Sequence, residues 1–60
     1  MFIELTGYGG SMYVNPMLIT FIMPMENNTR CKIYFGAERS IEANQKYEEV
    51  KRLIDESFFK

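Results

Sequence analysis

The feature that most constrains this chain is one amphipathic segment near its carboxyl end, residues 44–58. Tyr47, Val50, Ile54 and Phe58 recur at helical spacing, while Glu48, Glu49, Arg52, Asp55 and Glu56 take the opposite side. That pattern predicts a helix with a single apolar stripe. Everything before it reads as short strands punctuated by glycine, proline and asparagine. Neither kind of element can hide its apolar side alone, so the helix must cover one face of a small sheet. Asn44 is placed to cap the helix by accepting a backbone hydrogen bond at its first turn. Glu48 precedes Arg52 by four positions, the favourable order for an ion pair on an exposed face.

Alternation predicts five strands. In residues 2–6, Ile3 and Leu5 face one way and Glu4 and Thr6 the other. The turn Gly7-Tyr8-Gly9-Gly10 leads into residues 11–14, which alternate through Met12 and Val14, so the two form a hairpin. Asn15-Pro16 ends that pairing, because proline has no amide hydrogen to give. Residues 19–23 are β-branched and aromatic, apolar on both faces, and read as a central strand covered on both sides. Pro24–Thr29 reads as a polar loop. In residues 30–35, Cys31, Ile33 and Phe35 oppose Arg30, Lys32 and Tyr34. Gly36-Ala37 turns the chain into residues 38–42, where Ile41 is the main inward side chain. The expected fold is α+β, a single domain over residues 1–60. It comprises a small antiparallel β-sheet or partly open barrel of about five short strands, with one C-terminal amphipathic helix packed on one face. Phe59 falls on the polar side of a straight helix, which predicts either fraying near Ser57, the favoured outcome at a chain end, or docking of Phe59 onto a second chain.

A domain of 60 residues buries only about 60% of the surface its unfolded chain exposes. Its total stability is on the order of 3–9 kcal/mol. Such domains usually gain support from disulfides, a metal or a partner subunit. Cys31 is the lone cysteine and there is no histidine, so an internal disulfide is impossible and structural zinc has no ligand set. Self-association is the remaining route.

A net charge of −1 gives no bulk attraction to nucleic acid or anionic membrane. Met1-Phe2-Ile3-Glu4 lacks the basic start and apolar run of a signal peptide. Ile19–Met25 is interrupted by Pro24 and falls well short of the ~18 apolar residues of a span. The expected setting is soluble, reducing and cytoplasmic, without membrane insertion. On that reading Asn27-Asn28-Thr29 is a polar hairpin turn rather than a glycosylation acceptor.

Catalysis has little to work with. Without histidine the commonest general base is missing, and Ser–His and Cys–His pairs are excluded. The acidic residues cluster on the outer helix face as a solvated charge pattern. The chain is expected to be no enzyme and to use no cofactor or metal. The glycine-rich Gly7–Gly10 turn continues into a strand, whereas phosphate loops open a helix. Cys31 beside Ile33 reads as a small buried hydrophobe rather than a reactive thiol. Met12, Met17, Met23 and Met25 fill gaps in a small core, with Met17 and Met25 near loops where they could cushion a partner.

The outer sheet face is expected to carry Glu4, Thr6, Tyr13, Thr20, Ile22, Lys32 and Tyr34, a mixture less cleanly polar than a solvated antiparallel face. Ile22, Tyr34 and Phe2 are therefore expected to meet another molecule. The candidate interaction surface is Tyr13, Ile22, Arg30, Lys32 and Tyr34. The leading expectation is a small protein-interaction module, a homodimer or larger, with a further protein partner unidentified. The alternative is a nucleic-acid-binding regulator that stacks bases on Tyr13 and Tyr34 beside Arg30 and Lys32. Glu4, Glu38 and Glu42 dilute the positive charge that reading needs.

From Leu5-Thr6 through the glycine turn, Val14-Asn15-Pro16, a strand starting at Ile19, a polar turn containing Thr29, and Ile33 to Gly36, the chain resembles a known small family. Ser40, Glu48-Glu49-Val50 and the terminal helix continue the likeness. The sequence is similar to short flagellar and swarming-motility proteins of the FlbD-like type and uncharacterised relatives of that size. That resemblance implies a cytoplasmic accessory acting by contact, with no catalytic residues to carry over. Ile3-Glu4-Leu5-Thr6 and the helix near Glu48-Glu49-Val50 also resemble the small RNA-binding carbon-storage regulators, which combine five short strands with a C-terminal helix. Those proteins place basic residues directly after the first strand, where this chain has Gly7-Tyr8.

Overall fold

A computed structural model describes residues 2–36 and 38–58. The Gly36-Ala37 turn is thus seen only in part, and the expectation for Phe59 lies outside the described residues. Five strands precede one helix: β1 (Ile3–Gly7), β2 (Gly10–Val14), β3 (Phe21–Met25), β4 (Arg30–Phe35), β5 (Arg39–Ala43) and α1 (Tyr47–Phe58). The strands form two antiparallel sheets, a β1-β2 hairpin and a three-stranded sheet in the order β3-β4-β5. The fold is α+β, and the sheets do not close into a barrel. The described helix is not long and apolar enough to cross a membrane.

Alternation set the hairpin correctly. Ile3 pairs with Val14 and Leu5 with Met12 across β1 and β2; Ile3, Leu5 and Val14 are buried, while Glu4, Thr6 and Tyr13 are exposed. Asn15 then stops the ladder. Its side-chain oxygen accepts from the Met17 amide at 3.0 Å, and Pro16, with no amide to satisfy, opens a single 3-10 turn over Pro16–Leu18.

That turn displaces the next strand. β3 begins at Phe21 rather than at residue 19 and runs through Pro24 to Met25, so the loop expected over Pro24–Thr29 shrinks. Nor is β3 central or covered on both sides: β4 is the middle strand and β3 an edge. An edge is where proline can sit in a sheet, since one side of the strand needs no donors. The reversal itself uses Glu26, Asn27 and Asn28 in left-handed geometry, at φ 48, 56 and 69. Short polar asparagines tolerate that region best. The Thr29 amide and hydroxyl both donate to the Glu26 carbonyl, at 3.1 and 2.7 Å.

Cross-strand neighbours share a face, so the register Ile22–Ile33–Ile41 defines the inner side of the three-stranded sheet. The core comprises Ile3, Leu5, Val14, Cys31, Ile33, Ala43 and Val50. Val50 is the fully buried helix anchor, with Tyr47, Leu53 and Ile54 half-buried around it. Phe58, the last residue of the expected stripe, stays 51% exposed.

The helix starts later than expected. Asn44 does not cap it: the Asn44 amide donates to the Thr6 carbonyl at 2.7 Å, and the Lys46 carbonyl accepts the first helical bonds. The Tyr47 amide is satisfied from outside, by the Asn28 carbonyl at 3.1 Å. A tertiary partner thus does what a capping side chain would do. Arg52 pairs with Glu56 at 3.1 Å rather than with Glu48.

Candidate functional site

The strand registers give the molecule two ends. One collects the β1-β2 hairpin tip, the start of β4, the end of β5 and the start of α1. Here Arg30 Nη1 donates to Glu26 Oε2 and Nη2 to Glu42 Oε1, while its guanidinium lies 4.7 Å from the Tyr8 ring centre. Loss of water lowers the Arg30 pKa, but the hydrogen bond and charge of Glu26, then Tyr8 and Glu42, raise it overall. The Thr6 amide donates to Gln45 Oε1 at 2.7 Å, and Gln45 Nε2 donates to Glu49 at 3.1 Å. Together with the Asn44–Thr6 bond, these contacts fasten the hairpin to the larger sheet. This end is closed.

The other end is open. Phe2, Met12, Tyr13, Val14, Met17, Leu18, Phe35 and Ile41 line a groove of about 1220 Å³, with Glu38 and Arg39 also on its wall. Phe2, Tyr13, Met17 and Leu18 are exposed by 62%, 74%, 72% and 63%. Small-molecule sites are typically enclosed and about 300–1,000 Å³. A larger groove open to solvent suits a polypeptide surface better.

The five residues singled out from sequence do not form one surface. Arg30, Lys32 and Tyr34 share the outer face of β4, as their alternation implied. Tyr13 belongs to the open end. Ile22 is a correction: it pairs with the fully buried Ile33 and packs against the core. The cause is that residues 19–23 are apolar on both sides, so alternation there does not say which set faces the core, and the two settings differ by a single residue. Phe21 and Met23 take the outer positions instead, opposite Tyr34 and Lys32. Phe21 stacks on Tyr34 with ring centres 4.2 Å apart, and Lys32 Nζ sits 5.4 Å from the Tyr34 ring centre.

That face is poorly equipped for phosphate. Arg30 is already held by two carboxylates, and Glu42 stands opposite Lys32 in the register. Cys31 is fully buried, and loss of water pushes its thiol pKa up. Both changes disfavour the nucleophilic thiolate. No family model matches the chain, and comparison with curated proteins and with solved structures finds no match.

Proposed function

We propose that this chain is a small, non-enzymatic, cytoplasmic protein-contact module that self-associates through its open end. The observation that carries the reading is the grouping of Phe2, Tyr13, Met17 and Leu18, all more than half exposed, around one groove. Single exposed apolar residues need no explanation, but a contiguous set marks an interaction surface. A domain with so small a core also gains the most from covering it. The likeness of Val14-Asn15-Pro16 and Glu48-Glu49-Val50 to the short motility proteins supports an accessory acting by contact.

Sedimentation equilibrium over a wide concentration range tests this. A reversible dimer or larger species is expected, and a strict monomer at the highest concentration overturns the reading. The Phe21–Tyr34 stack beside Lys32 favours a second reading, single-stranded nucleic acid on the outer sheet face. Binding measured across a salt series decides it, because phosphate contacts weaken steeply with salt. No binding at low salt removes it.

A further inference from the structure

The edge strands β2 and β3 are built differently. β3 is interrupted by Pro24, a residue that blunts an edge against further pairing. β2 has no such protection. Its five residues, Gly10-Ser11-Met12-Tyr13-Val14, contain no charge and no proline, and its register with β1 is unbroken.

The direction of its backbone groups follows from β1. Thr6 gives its amide to Gln45 and receives at its carbonyl from Asn44, both on the side away from β2. In an antiparallel ladder, residues that point their backbone groups away from each other lie opposite one another. Ser11 is the partner of Thr6. Its amide and carbonyl, and two residues on those of Tyr13, therefore face outward on the free edge.

We propose that β2 is the docking strand for a second copy of this chain, pairing antiparallel with its own counterpart about a twofold axis at Met12. This deepens the self-association reading and rests on it. The register is self-consistent. Ser11 of each copy exchanges amide–carbonyl hydrogen bonds with Tyr13 of the other, and the two Met12 residues face each other as the close, non-hydrogen-bonded pair. Tyr13 then lies beside the small Ser11 of the second copy, which leaves room for its ring. The groove next to the strand supplies the reason for a second copy rather than a charged partner. Its charged wall residues are one acid and one base, Glu38 and Arg39, so an isologous contact matches it without excess charge of either sign.

The test uses the full chain in two variants. Ser11→Pro removes an outward amide that the proposed pairing needs, while an edge position lets the monomer keep its fold; circular dichroism checks that fold. Met12→Cys places two thiols across the twofold, within the Cα separation a disulfide requires. Under the proposal Ser11→Pro is folded and at least tenfold weaker in self-association. Met12→Cys forms an intermolecular disulfide far faster than Tyr13→Cys, whose two positions are staggered. Unchanged association of folded Ser11→Pro, or no preference for Met12→Cys, overturns β2 pairing while a wild-type dimer keeps the broader reading intact. A monomeric wild type overturns both, and a heterologous strand that binds β2 without a wild-type dimer assigns the edge to another protein and overturns the proposal.

Discussion

The two ends of this domain solve the same problem in opposite ways. At the closed end the hairpin and the three-stranded sheet are fastened by polar groups: Arg30 between Glu26 and Glu42, Asn44 on Thr6, Gln45 on Thr6, and Asn28 on Tyr47. At the open end a groove lies between the hairpin and the larger sheet, lined mainly by aromatic and aliphatic side chains with Glu38 and Arg39 on its wall. The contrast teaches that a domain with few buried residues can be locked internally at one pole while presenting the other for contact. Hydrogen bonds fix geometry without needing area, whereas exposed apolar area gains free energy only when something covers it.

Two leucines give the sharpest way to break that comparison. Leu5 is fully buried in the core that both sheets share. Leu5→Ala should destabilise by about 2–5 kcal/mol, comparable with the whole stability of a domain this size, on the order of 3–9 kcal/mol. Thermal or urea unfolding should show a largely unfolded or barely folded chain. A loss below about 1 kcal/mol would mean that the core is not the common support of the two ends.

The closed end comes next. Arg30→Ala removes both ion pairs and the contact over Tyr8 at once. The expected result is a lower melting temperature and faster hydrogen exchange at the Asn44 and Tyr47 amides, which bridge elements there. Lys32→Ala, on the same strand face, should leave those amides unchanged. Equal exchange in the two variants would show that the guanidinium is not what fastens this pole.

How far these features can be read from sequence depends on what each residue's position is fixed by. The hairpin was legible because Ile3, Leu5, Met12 and Val14 alternate against polar neighbours, so one face only could be buried. β3 was not, because Ile19, Phe21, Ile22 and Met23 offer apolar side chains to both faces and the Asn15–Pro16 turn consumes an unpredictable length of chain. Asn44 carried a genuine capping signal, yet the carbonyl of Asn28, remote in sequence, reached the helix first. Of the surface residues, Arg30, Lys32 and Tyr34 were placed by simple alternation. The open end was visible only in fragments, through Tyr13, Phe2 and Met17. Leu18 and Phe35 joined it through a tertiary gap that no local pattern encodes.

Cys31 tests the inside of the sheet that the two poles share. Burial pushes its thiol pKa above the ordinary 9.0. As pH rises past that value, the unfolded chain releases the proton first, so this contribution to stability is full below 9.0 and declines above it. Cys31→Ala should remove that share of the alkaline loss, seen as a shallower fall of stability with pH than in the wild type. A thiol reagent at neutral pH should react only as fast as the domain unfolds. Immediate reaction in the folded state would contradict a dry position between β3 and β5.

The smallest effect on stability should come with the largest effect on association. Leu18 sits 63% exposed in the turn that borders the open groove. Leu18→Asp leaves the core untouched, so its unfolding free energy, measured at dilution where the chain is monomeric, should change by no more than about 0.5 kcal/mol. In sedimentation, however, a carboxylate on the border of the groove must lose water when a second copy covers it, a cost apolar neighbours cannot offset. Association should fall at least tenfold. If instead Leu18→Asp destabilises the monomer as Leu5→Ala does, the open end is part of the core and the division into a locked pole and a binding pole fails. If it changes neither property, the groove exists but copies of the chain meet elsewhere.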